Sequence, residues 1–205
     1  MTFVTRISSA AALGAASVIA SSLYAPPAQA SYIVTMTQQG TNVVATGSGT
    51  IDLSSLIFVG TGSGDEAGVS GGLGIIVVGP VSFQPSDGYG GYSGPVSFGS
   101  LGLLTASTGS GDRVGIDQDS GELFVPAGYV SGTALSSSST WDNKDFASLG
   151  VTPGTYVWNW GSGPTADSFT LQIGAAAVPE PSTLALLALP LVFLLPARAK
   201  LNRRN

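Results

Sequence analysis

The chain has no cysteine and no histidine among its 205 residues, and only 9% of its residues are charged. Without cysteine, no disulfide can brace it. Without either residue type, Ser-His-Asp and Cys-His catalysis, thiolate chemistry and zinc sites built on those ligands are excluded. Positive charge is the scarcest resource. Between Ser31 and Ala177 only Arg113 and Lys144 stand against eleven acidic side chains, a formal net charge of −9 (two minus eleven). Such a surface repels phosphate backbones, because nucleic-acid binding needs Lys and Arg to displace counterions, so nucleic acid is not expected as a partner.

These absences leave little room for catalysis. A carboxylate pair of the glycosidase kind needs an acid and a base or nucleophile facing each other across a sugar. No spacing among the acidic residues singles out such a pair, and aspartates in Gly-Ser loops are ordinarily solvated turn residues. A Ser-Lys dyad would have to use Lys144, yet the residue three positions before it is Trp141. The chain is therefore expected not to be an enzyme and to need no cofactor, with a carboxylate-dependent glycan hydrolase as the enzymatic alternative.

What is present is concentrated at the two ends. Arg6 precedes a small-residue apolar run, Ala10 to Ala20, followed by the Pro26-Pro27 break and a small-x-small site at Ala28-Gln29-Ala30. This pattern predicts a secretory signal peptide over residues 1–30, cleaved before Ser31. At the other end, Val178-Pro179-Glu180-Pro181-Ser182-Thr183 leads into an apolar run, Leu184 to Leu195, and then into Arg198, Lys200, Arg203 and Arg204. A spanning helix needs about 20 apolar residues, and this run is shorter and interrupted by Pro190. The basic cluster beyond it predicts a cytoplasmic C-terminus, with the body on the far side of the membrane.

The order of these parts, over residues 178–205, resembles the PEP-CTERM sorting signal of exported bacterial proteins. That resemblance implies recognition of Pro179, Glu180 and Pro181 by an exosortase, and a transient or stable membrane anchor at the C-terminus. It implies secretion machinery and exosortase as partners, exopolysaccharide as a neighbour, and the cell envelope or extracellular space as the destination. Removal of a hydrophobic tail after sorting has a parallel in GPI signals.

Between the ends, residues 31–177 make one ordinary domain, large enough to bury about 70% of its unfolded surface. Runs that alternate or favour β structure occur at Tyr32–Thr37, Asn42–Thr46, Leu73–Val78, Leu123–Val125, Thr155–Trp160 and Ser168–Ile173. Gly, Ser, Asp and Pro clusters separate them. The expected fold is all-β, a single antiparallel β-sandwich-like domain flanked by the signal peptide and the C-terminal membrane segment. One short helix is expected over Trp141–Leu149, ended by Gly150 and Pro153. Gly-Pro-Val-Ser-Phe occurs at 79–83 and again at 94–98, and Thr-Gly-Ser-Gly-Asp at 61–65 and 108–112. The first pair is read as two strand starts flanking a flexible loop, Asp87 to Ser93, and the second as two similar loops. Two repeats of unequal spacing do not establish a solenoid, which needs a fixed period over at least three units.

Two stretches carry candidate sites. The segment from Asp112 to Glu122 places Asp117, Asp119 and Glu122 close together, and calcium takes six to eight oxygen ligands. The loop lacks the ligand spacing of an EF-hand and runs into Leu123-Phe124-Val125, so a weak calcium site stands beside an acidic hairpin turn as the alternative. In Tyr156-Val157-Trp158-Asn159-Trp160, period-two alternation puts Tyr156, Trp158 and Trp160 on one face, either a ladder for stacking on glycans or part of the core. The segments 123–132, 149–158 and 161–169 are similar to stretches common in the ectodomains of small exported PEP-CTERM proteins, which implies a shared fold and no catalytic residues. Together these features predict an exported surface or exopolysaccharide-matrix protein with a structural or adhesive role. A glycan- or calcium-binding module of that matrix is the alternative.

Overall fold

The computed structural model describes residues 31–62 and 66–174. The expected signal peptide with Ala28 and Ala30, and the tail with Pro179, Glu180, Pro181, Arg198, Lys200, Arg203 and Arg204, lie outside the described residues. Among the described residues thirteen strands run in chain order: β1 (Ser31–Gln39), β2 (Asn42–Gly49), β3 (Ile57–Gly62), β4 (Gly68–Ser70), β5 (Ile75–Val78), β6 (Ser86–Gly90) and β7 (Leu104–Thr105). Then come β8 (Thr108–Gly111), β9 (Val114–Asp117), β10 (Glu122–Pro126), β11 (Leu135–Trp141), β12 (Gly154–Trp160) and β13 (Asp167–Ile173). They form a six-stranded sheet, β12-β13-β1-β2-β11-β8, and a seven-stranded sheet, β3-β6-β10-β9-β5-β4-β7. The described residues are all-β with two sheets, and both contribute to one apolar core, as in a β-sandwich.

Alternation builds the first sheet. Tyr32, Val34 and Met36 on β1 meet Val43 and Ala45 on β2 and Phe169, Leu171 and Ile173 on β13, while the intervening residues face outward. The rings interlock: Tyr32 lies 5.6 Å from Phe169, Trp158 lies 5.8 Å from Phe169, and Phe98 reaches Trp158 at 6.3 Å. Such pairs add about 0.5–1.5 kcal/mol each beyond area burial. The Tyr32 hydroxyl hydrogen-bonds the Ser137 hydroxyl inside the sheet, and burial pushes its pKa upward. Gly47 makes this possible, because a Cβ there would overlap the Tyr32 hydroxyl.

The second sheet obeys a different pattern. Ile76, Val78, Val114, Ile116, Leu123 and Val125 point into the shared core, but Ile75, Val77 and Phe124 on the opposite face are buried too, in a small cluster of their own. Its strands therefore read as continuous apolar runs where both faces are covered.

Three expectations change. The sheets are not wholly antiparallel: β1 runs parallel to β13, Ser31 beside Ser168 and Met36 beside Ile173. These strands come from opposite ends of the domain, so no hairpin dictates their sense. The expected helix over 141–149 does not form. Trp141 is held in β11 opposite Val43 with its indole N–H donated to Leu104 O, and Asn143 takes a left-handed φ of 53°. Residues 145–149 then make only a turn, closed by Leu149 N to Asp145 O. Finally, the repeats exchange roles. Ser86–Gly90 is strand β6 rather than part of a flexible loop, while Pro80–Phe83 and Pro95–Ser97 are irregular, and Thr108–Gly111 is strand β8. Gly79 is bound through its N–H by the Ser139 hydroxyl, and the Arg113 guanidinium donates to Pro80 O and Ser82 O. Context, not the repeated letters, decides the backbone.

Candidate functional site

The aromatic ladder is part of the core. Trp158 is 0% exposed and donates its indole N–H to Pro95 O, and Trp160, 4% exposed, donates to Asp52 O. Tyr156 is half-buried against Phe98, with its hydroxyl donated to Thr152 O. Trp158 and Trp160, enclosed in this way, offer no face to a sugar and take the core alternative, while Tyr156 remains half-exposed at the edge of that cluster.

The acidic stretch forms the β9–β10 hairpin, in which Asp117 and Glu122 are directly opposed. Asp117 is buried and its oxygens are already occupied. Oδ1 accepts from Asp119 N at 2.8 Å and Ser120 N at 3.2 Å, and Oδ2 accepts from the Ser120 hydroxyl at 2.9 Å. This is an Asx turn, the acidic-hairpin alternative. Asp119 is exposed on the turn, and no three acidic side chains converge as a metal-binding group among the described residues.

Glu122 differs from its neighbour. Its carboxylate folds across β6 to within about 3 Å of the position a Cβ would take on Gly88, on the outer face of the second sheet. There β3, β6 and β10 form the floor of a concavity of about 370 Å³, lined by Val59, Gly60, Gly62, Ser86, Glu122 and Phe124 among others. Register explains its shape. Gly60, Gly88 and Phe124 lie in one cross-strand row and Gly62 pairs with Ser86 two rows on, so the trough crosses a stripe of bare backbone. A β-bulge between Phe58 and Gly60 places Val59 at the rim. Tyr92, packed against the shared core, donates to Asp117 O at 2.9 Å; burial, then the charges of Asp117 and Glu122, push its hydroxyl pKa upward.

A second concavity, of about 380 Å³, is lined by Ser31, Asn159, Trp160, Asp167 and Ser168. Burial pushes the Asp167 carboxyl up to about 6, against N–H bonds from Asp52 and Ser168 at 2.6 Å each that pull it down; the Asp52 charge adds to the rise. Asp87 plays a similar structural part, accepting from the Thr61 hydroxyl at 2.6 Å and from Gly128 N at 2.8 Å. These aspartates are buried acceptors that tie loops to strands, not the solvated turn residues their Gly-Ser surroundings suggest. No protein-family model matches the chain, and no curated protein or solved structure was found to be similar to it.

Proposed function

We propose that this protein is exported to the cell envelope or extracellular matrix, sorted there by an exosortase acting on its C-terminal tail, and has a structural or adhesive rather than catalytic role. In this reading residues 1–30 are a signal peptide and residues 178–205 a Pro-Glu-Pro sorting signal with a membrane segment and basic end. The observation that carries it is the order Pro179-Glu180-Pro181, apolar Leu184 to Leu195, then Arg198, Lys200, Arg203 and Arg204. The body gives support of its own. Its last strand, β13, ends at Ile173, shortly before the Pro-Glu-Pro motif. The domain is held by packing and buried hydrogen bonds without disulfides, and its best-buried carboxylates serve as acceptors for loop N–H and hydroxyl groups.

Protease added outside intact host cells tests export. Digestion of residues 31–174 in whole cells, while a cytoplasmic marker survives, is the expected result. Protection of the body until the cells are lysed would overturn the reading.

A further inference from the structure

We propose that the concavity beside Ser31 and Asp167 is a docking site for the α-ammonium group that signal-peptide cleavage creates on Ser31, with the Asp167 carboxylate as its partner. This rests on the export reading for the position of that cleavage.

Sheet order brings the carboxylate to Ser31. Strand β1 lies between β13 and β2, so those two strands stand about 10 Å apart, two inter-strand spacings. Ser31 pairs with Ser168 on the β13 side, and its carbonyl accepts from Thr50 N, just past β2, at 3.2 Å. Asp167, the first residue of β13, nevertheless bonds Asp52 N, beyond the end of β2, at 2.6 Å. Its side chain therefore passes Ser31 to reach a segment on the far side of β1. Ser31, Asp167 and Ser168 accordingly line one concavity, together with Asn159 and Trp160. A carboxylate buried in such a place costs stability unless a cation or enough donors compensate it. The N–H groups of Asp52 and Ser168 take one lone pair on each oxygen and leave others open. Asp167 is 5% exposed, and neither Arg113 nor Lys144 is among the described residues that line the concavity. Burial, with the Asp52 charge adding to it, holds the carboxyl above its ordinary range in the uncleaved chain.

Charge and tethering then name the occupant. Hydrolysis of the peptide bond before Ser31 adds water across it: the leader departs with the new carboxylate, and Ser31 keeps an amine that is protonated below about pH 8. An ammonium group has three donors and no acceptor, the complement of the open lone pairs on Asp167. Because it is attached to Ser31, it meets its partner at high effective concentration and pays little for association. Capture of an N-terminal amine is a known mode of recognition. The other titratable groups packed there are Asp52, whose charge adds to the attraction, and Tyr129, whose hydroxyl accepts from Ile51 N at 3.0 Å and which burial keeps neutral beyond its ordinary range. Cleavage thereby adds a charge pair that ties β1 to β13 and to the Asp52 segment, and the processed body is more stable than its precursor.

The test compares the melting of two chains in the same detergent, Ser31–Asn205 and Ala28–Asn205, which differ in whether the free amine stands on Ser31 or three residues ahead of it. At neutral pH the chain that starts at Ser31 should melt about 2–4 °C higher. An amine whose folded pKa is raised by its partner gives stability that is full below its unfolded value, about 8, and is lost as pH rises through the folded one. The difference should therefore disappear by about pH 11, and it should shrink in acid as Asp167 takes up its proton. Asp167→Asn, which keeps the size of the side chain and removes its charge, should abolish the difference at neutral pH. If that variant does not fold, the pH profile of the unsubstituted pair decides. Equal melting temperatures from about pH 5 to about pH 10 overturn the proposal. So does a difference that Asp167→Asn leaves intact, or one as large at about pH 11 as at neutral pH. Both starting residues are set by preparation, so this result is independent of where the host cleaves; the mass of the native chain tests the export reading by itself.

Discussion

The two sheets solve the same burial problem differently. In the first, the strands inside its β8 edge bury one face, and the outer face is left polar or half-exposed: Ile33 on β1 is 38% exposed while its neighbours Tyr32 and Val34 are fully buried. In the second, the central strands are covered on both sides, so that Ile75, on the face away from the shared core, is only 5% exposed. That double burial ends at β3, where Ile57, Phe58 and Val59 stand exposed and glycines open the trough. One sheet keeps a polar outer face, and the other is covered on both faces except at its β3 edge.

The core that both sheets share offers the most severe test of this contrast. Phe169→Ala removes the ring at the centre of the aromatic cluster and should cost about 3–5 kcal/mol in urea unfolding; a loss near zero would mean the sheets do not depend on that packing. A matched pair sharpens the contrast between outer faces. Ile75→Ala should cost about 2–5 kcal/mol, while Ile33→Ala should change stability by no more than about 0.5 kcal/mol. Equal effects would break the distinction between a doubly covered and a singly covered sheet. Asp87→Ala strands the Thr61 hydroxyl and the Gly128 N–H, and should cost about 1–3 kcal/mol, loosening β3 from β6.

The smallest effect is electrostatic and belongs to the first sheet. The Asp167 carboxyl is raised to about 6 when folded and lies near about 3.9 when unfolded. Between those values the folded chain holds a proton that the unfolded chain has lost. The stability contributed by this group is therefore full below about pH 4 and is lost as pH rises through about 6. Asp167→Asn should flatten the melting temperature over that window; an unchanged slope would show that another group sets it.

The same difference explains what sequence could reveal. Strands whose residues alternate, such as Tyr32–Thr37 and Ser168–Ile173, announce their buried face directly, and the continuous Ile75–Val78 run was legible as a strand as well. Leu135–Trp141 was not, because its four serines carry no hydropathy signal; Ser137 and Ser139 are buried through hydroxyl bonds to Tyr32 and Gly79 that only tertiary structure supplies. Ser86–Gly90 and Thr108–Gly111 resemble loops in composition and become strands by pairing with β10 and β11. Glu122 was legible as a candidate ligand, but the trough it borders was not. Gly60, Gly88 and Phe124 come from three strands and meet only through sheet register. Trp158 and Trp160 show the converse: period two placed them on one face, and only packing identified that face as the interior.

Intact mass and C-terminal peptide mapping of the protein from its native host, with and without its exosortase, tests the central claim most directly. The account predicts a mature chain that begins at Ser31 and ends near Pro179 to Pro181 only when the enzyme is present. A chain that retains Leu184 to Asn205 in both strains would contradict it.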